Sequence, residues 1–184
     1  SITTSGVFRW GLLGSIGNTA NTNAVTVTLT AGDIKTLGAG SHGVYGVNSG
    51  LGDAFAQMDG GTVEVSGAYA RGVSALSSIG NAISIMNAGT ITHTGALNGR
   101  GLTAVVGNAA APASSVASAT MNGGTIITGG LLPNTGSSTF AHGVGTSNAG
   151  LGASVSTITG GTITTNGVDG RGLEAFTSNV SNNA

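Results

Sequence analysis

The sequence contains no cysteine, so disulfide staples, thiolate metal sites and cysteine nucleophiles are excluded together. Charge is nearly as scarce: 5 Lys+Arg and 6 Asp+Glu among 184 residues give a formal net charge of -1. A chain so close to neutral lacks the basic footprint of a nucleic-acid binder. Two prolines exclude collagen-like and proline-rich segments. No run approaches the roughly 18 consecutive apolar residues of a membrane-spanning helix, so no direct membrane insertion is expected. Disorder is excluded as well, because 39% hydrophobic residues with 6% charged ones is the opposite of the composition that keeps a chain unfolded.

What is present in excess is glycine, 35 of 184 residues, and its placement is periodic. A glycine-containing pair followed by a β-branched run recurs at Ala31-Gly32-Asp33-Ile34, Gly60-Gly61-Thr62-Val63, Ala88-Gly89-Thr90-Ile91, Gly123-Gly124-Thr125-Ile126 and Gly160-Gly161-Thr162-Ile163. Ile2-Thr3-Thr4 is a copy without its glycines. Each copy is followed by a basic or aromatic residue, a glycine and an apolar residue: Trp10-Gly11-Leu12, His42-Gly43-Val44, Arg71-Gly72-Val73, Arg100-Gly101-Leu102, His142-Gly143-Val144 and Arg171-Gly172-Leu173. The glycines of this second motif are 32, 29, 29, 42 and 29 residues apart, a period of 29 with insertions. Before each glycine pair lies a third run of β-forming residues, such as Val25-Thr26-Val27-Thr28-Leu29 and Ile83-Ser84-Ile85-Met86.

Three short strands in 29 residues, separated by Gly and Asn corners, fit one coil of a solenoid and are too few for a propeller blade. The expected fold is therefore all-β, a right-handed parallel β-helix of about six coils spanning residues 1–184. Stacking at about 4.8 Å makes a rod roughly 25 to 30 Å long. Alternation along a strand places Ile34, Val63, Ile91, Ile126 and Ile163 in one interior ladder and their neighbours outside. The expected insertions are loops at 107–115 and 129–138, where both prolines fall. The chain begins at the second strand of a coil and stops after the third. The expectation is therefore that the coils continue, in a longer polypeptide or a head-to-tail neighbour.

The unit running from Gly160 to Leu173, and from Gly60 to Val73, resembles the passenger repeats of bacterial autotransporter adhesins. Two-partner adhesins and some phage and surface-layer proteins use similar coils. The resemblance implies an extracellular rod on the bacterial cell surface, exported with the help of an outer-membrane β-barrel.

Chemistry is thinly represented. The acids are Asp33, Asp53, Asp59, Glu64, Asp169 and Glu174, and Asp59 with Glu64 is the closest candidate pair for acid/base work. His42, His93 and His142 are spread over three coils, so no metal site, cofactor or catalytic centre is expected. The candidate contact residues are Arg71, Arg100 and Arg171, which recur at one corner, and Leu131 and Leu132, adjacent apolar residues in the second insertion. The arginines admit two readings: hydrogen bonding to carbonyls of adjacent coils, or a basic stripe that meets anionic host or bacterial surface glycans. Function is expected to be structural and adhesive, by lateral or end-to-end self-association. The alternatives are an ice-binding solenoid, suggested by Thr26/Thr28, Thr90/Thr92 and Thr162/Thr164, and a polysaccharide-active β-helical enzyme.

Overall fold

The computed structural model describes residues 1–95, 98–129, 141–166 and 169–178. The first coil contains β1 (Ile2–Thr4), β2 (Trp10–Ile16) and β3 (Val25–Leu29), and the second β4 (Asp33–Thr36), β5 (His42–Asn48) and β6 (Ala54–Met58). The third contains β7 (Thr62–Val65), β8 (Arg71–Ser77) and β9 (Ala82–Met86), and the fourth β10 (Thr90–His93), β11 (Arg100–Val106) and β12 (Val116–Met121). The fifth contains β13 (Thr125–Thr128), β14 (His142–Asn148) and β15 (Ala153–Ile158), followed by β16 (Thr162–Thr165) and β17 (Arg171–Thr177). Every strand pairs in parallel with its counterpart one coil away. The first sheet is β1-β4-β7-β10-β13-β16, the second β2-β5-β8-β11-β14-β17 and the third β3-β6-β9-β12-β15. This is a parallel β-helix of about six coils with three strands per coil.

The glycine spacing had fixed the register. Ile2, Ile34, Val63, Ile91, Ile126 and Ile163 are successive Cα partners in the first sheet. Ile34, Val63, Ile91 and Ile126 are buried, whereas Ile163, expected in the same ladder, is half-buried because no described strand follows β16 in the first sheet. Their flanking residues Asp33, Lys35 and Thr62 are exposed, whereas Glu64, Thr90 and Thr92 are half-buried, since neighbouring coils cover part of a middle strand. Each fully buried branched aliphatic side chain contributes roughly 1.5–3 kcal/mol, repeated along the stack.

The two glycine motifs belong to one packing device. The glycine of each Arg-Gly or His-Gly motif points inward, and a Cβ on Gly11, Gly43, Gly72, Gly101 or Gly143 would collide with the Cγ of Ile34, Val63, Ile91, Ile126 or Ile163 respectively. Each glycine of one coil is thus the socket for the β-branched knob of the next. A second socket lies at the left-handed corner glycines. Met58, Met86 and Met121 direct their Cε atoms over Gly89, Gly124 and Gly161, where an added Cβ would approach to 2.6–2.7 Å.

The loop at 107–115 connects β11 to β12, but it is tied into the stack instead of bulging freely. Ala111 and Ser115 are buried, and Nδ2 of Asn148 donates to the carbonyls of Ser115 (3.2 Å) and Ala153 (3.1 Å). The connection after β2 is held in the same way: Asn48 Nδ2 donates to the carbonyls of Asn23 (2.9 Å) and Asp53 (3.0 Å). Of the insertion expected at 129–138, all but Gly129 lies outside the described residues.

Candidate binding groove

The second-sheet strands are seven residues long and kink at their glycine, so that after the leading residue the outward positions are the fourth and the sixth. The leading row is Trp10, His42, Arg71, Arg100, His142 and Arg171, all in direct register. The fourth-position column runs Leu13, Tyr45, Ser74, Thr103, Gly145, Glu174. Its side chains are large in the first two coils and small in the next three. Where they are small, the long side chains of the leading row stand over a depression.

That depression is a groove of about 600 Å³, open to solvent, and all three sequence-nominated arginines, Arg71, Arg100 and Arg171, line it. Leu131 and Leu132 lie outside the described residues. At the groove edge Tyr69 and Asn98 occupy equivalent corners, both with left-handed backbone (φ 60° and 48°), and Tyr69 is 60% exposed. Glu174 and Phe176 close the far end.

Among the described residues no carbonyl accepts from these arginine side chains. Arg71 Nη1 donates to Ser74 Oγ at 3.3 Å. Arg171 is joined to Glu174. Arg100 is half-buried and its guanidinium has no hydrogen-bond or ion-pair partner among the described residues. Burial lowers the pKa of Arg71, and the neighbouring charge of Arg100 lowers it further. Burial also lowers that of Arg100, with Glu174 opposing. Both guanidinium groups remain charged at ordinary pH, given how high the reference value of arginine lies. Thr103 Oγ1, on the same strand as Arg100, is fully buried without a hydrogen-bond partner among the described residues and is not part of the groove lining.

The histidines of the row are neutral. His42 is pulled down to about 3 by burial and by Arg71, and its Nδ1 accepts a hydrogen bond from the Arg71 backbone N–H at 3.2 Å. His142 is lowered chiefly by burial, against the pull of Glu174, whose carboxylate lies 3.5 Å from Nε2. Among the described lining residues the groove therefore carries three cationic side chains and one acid, and the acid is joined to Arg171 and faces His142. In the first two coils the same face is filled instead: Tyr45 meets His42 edge-on with centroids 4.6 Å apart and lies 6.3 Å from Trp10 in a stacked arrangement.

The acids singled out from the sequence are engaged elsewhere. Asp59 accepts from Gln57 and Asn87, both at 2.7 Å, and Glu64 pairs with Lys35 at 2.8 Å. Among the described residues no three His, Asp or Glu side chains are grouped to hold a metal ion. Sequence reasoning named Glu174 only as one of the acids and missed its place in the groove, along with Tyr69, Asn98 and Phe176. The signal that could have found Glu174 is the third residue after each member of the Arg/His row, taken as a column of its own.

The third sheet presents a different surface. Its outward positions, alternating with the buried ones, are Thr26 and Thr28, Phe55 and Gln57, Ile83 and Ile85, Ser118 and Thr120, and Val155 and Thr157. None is charged. Comparison of the chain with protein-family models, with curated proteins and with solved structures finds no match.

Proposed function

We propose that this chain is a structural and adhesive rod of the bacterial cell surface, exported across the outer membrane, which holds copies together laterally through the outer face of its third sheet. The observation that carries this reading is the uncharged face itself. Five adjacent strands expose only Thr, Ser, Gln and apolar side chains, with Phe55, Ile83 and Ile85 at the centre. Two such faces meet without like-charge repulsion, and a regular parallel sheet offers a nearly flat surface to its own copy.

The size of the face sets the strength. Five strands at about 4.8 Å, each about 17 Å long, offer on the order of 400 Å², half of the roughly 800 Å² per partner of a stable interface. A single contact of this size is weak, and adhesion arises when many coils or many rods engage together. The partner is a second copy of the chain, and surface-exposed rods on neighbouring cells supply it.

The test compares the chain with Phe55→Lys/Ile83→Lys, two outward substitutions that leave the interior ladder intact. Sedimentation should show concentration-dependent association of the parent chain that the double variant loses. Beads coated with the parent should clump, and variant-coated beads should stay dispersed. Equal behaviour of the two proteins sinks the lateral reading. Removal of the protein from intact cells by added protease checks the surface location, and its complete protection would refute it.

A further inference from the structure

We infer that the groove over β8, β11 and β14 is a binding site for an acidic saccharide, with the Arg71 and Arg100 guanidinium groups receiving a carboxylate of the sugar. The site is distinct from the uncharged face of the third sheet and does not depend on self-association.

The argument begins with an electrostatic imbalance. Arg71 and Arg100 are Cα partners on adjacent strands, which places their backbones about 4.8 Å apart. Both are half-buried, and neither has a carboxylate partner among the described residues. Holding two partly desolvated like charges side by side is unfavourable unless an anion joins them. The one acid among the described lining residues, Glu174, is bound to Arg171, lies 3.5 Å from His142 and acts on Arg100 only at longer range, so it pairs with neither Arg71 nor Arg100. The hydrogen-bonding capacity is equally unspent, since the Arg100 guanidinium lines the groove and donates to nothing among the described residues. A planar carboxylate accepting from two guanidinium forks fits this arrangement, since arginine presents its donors in a rigid plane.

The groove margin narrows the ligand class. Tyr69 stands largely exposed beside Arg71, an aromatic face on which the apolar side of a pyranose ring can lie, and the Asn98 amide one coil away can exchange hydrogen bonds with ring hydroxyls. The volume of about 600 Å³ falls within the roughly 300–1,000 Å³ of small-ligand sites. Because the row repeats once per coil, a polymer lying along the axis meets Arg71, Arg100, His142 and Arg171 in turn. Acid groups recurring on a saccharide chain match that repetition.

The test uses the trimer of galacturonic acid, the same trimer fully methyl-esterified, inorganic sulfate and a tri-glutamate peptide, each titrated into the purified chain by calorimetry at low salt. Saturable binding of the uronate trimer is expected, at least tenfold tighter than each of the other three. Arg71→Gln and Arg100→Gln should each weaken it tenfold or more. Tyr69→Asn places a residue suited to left-handed backbone at that corner, as Asn98 is one coil later, so folding is preserved. It should weaken the uronate trimer at least threefold and leave sulfate unchanged. Glu174→Gln releases Arg171 and should tighten binding severalfold. No binding of the trimer, or binding that survives both arginine substitutions, overturns the site. Equal affinity for sulfate or for tri-glutamate overturns the saccharide assignment.

Discussion

The outer face of the second sheet is built in two ways on one scaffold. In the first two coils Trp10, Leu13, His42 and Tyr45 fill it with rings and an aliphatic side chain. In the third and fourth, Arg71 and Arg100 border a groove lined with charge, while the small Ser74 and Thr103 of the same strands are buried. Beneath both halves the interior is the same: a glycine of one coil receives the β-branched side chain of the next. The stack is thus specified from inside, and the outward positions are free to differ from coil to coil.

If the two halves share one interior, damage to it should cost the same in either. Ile34→Asp in the aromatic half and Ile91→Asp in the cationic half each place a carboxylate in a site that is 2% or 0% exposed. Each should cost more than about 4 kcal/mol and abolish the cooperative melt followed by circular dichroism. A large difference between the two would mean that the halves are not one stack.

A smaller change tests the socket. Gly43→Ala and Gly101→Ala drive a methyl into Val63 and Ile126 and should each cost about 1–3 kcal/mol by overpacking. Gly145→Ala on the outer face meets nothing within 4 Å, so it should be neutral or stabilising by up to about 1 kcal/mol. Denaturant titration of the three variants reads the contrast, and equal losses at all three would remove the socket.

The smallest effect separates the halves by pH. His42 is held at about 3 in the folded chain, against 6.5 for the free side chain. Between these values the unfolded chain binds a proton that the folded chain refuses, so stability present above pH 6.5 is lost as the pH falls towards 3. Lowering the pH from 7 to 5.5 should cost about 1 kcal/mol through this group. His42 faces the charged Arg71 and the neutral Tyr45, and His93 and His142, also depressed by burial, act in the same direction. His42→Asn should reduce the fall in melting temperature between pH 7 and 5.5, an effect absent if the imidazole already carries its proton in the folded state.

Most of the architecture was legible because a solenoid repeats its constraints. The recurring glycine motifs aligned Arg71 with Arg100 across one period of 29 residues, and Ile91 with Ile126 despite the insertion at 107–115. What could not be read was why the two motifs travel together, since the contact of Gly72 with Ile91 joins residues 19 positions apart across a coil boundary. The arginine row was visible as a row, but its meaning depended on the smallness of Ser74, Thr103 and Gly145 beside it. The depth of a groove is set by what a column lacks. Nor did composition reveal that Asn48 and Asn148, ordinary in a chain rich in asparagine, sit buried as clamps between a long connection and the turn of the following coil.

The knob-and-socket joint also governs how the rod responds to force. Each coil is held only by the coils on either side, so tension along the axis is resisted one joint at a time. A detached coil of 29 residues lengthens from about 4.8 Å to about 95 Å when drawn out. Successive release of coils dissipates work over a long travel while the coils still stacked keep their grooves and faces intact. A stack built in this way gives way to tension in steps, one coil at a time.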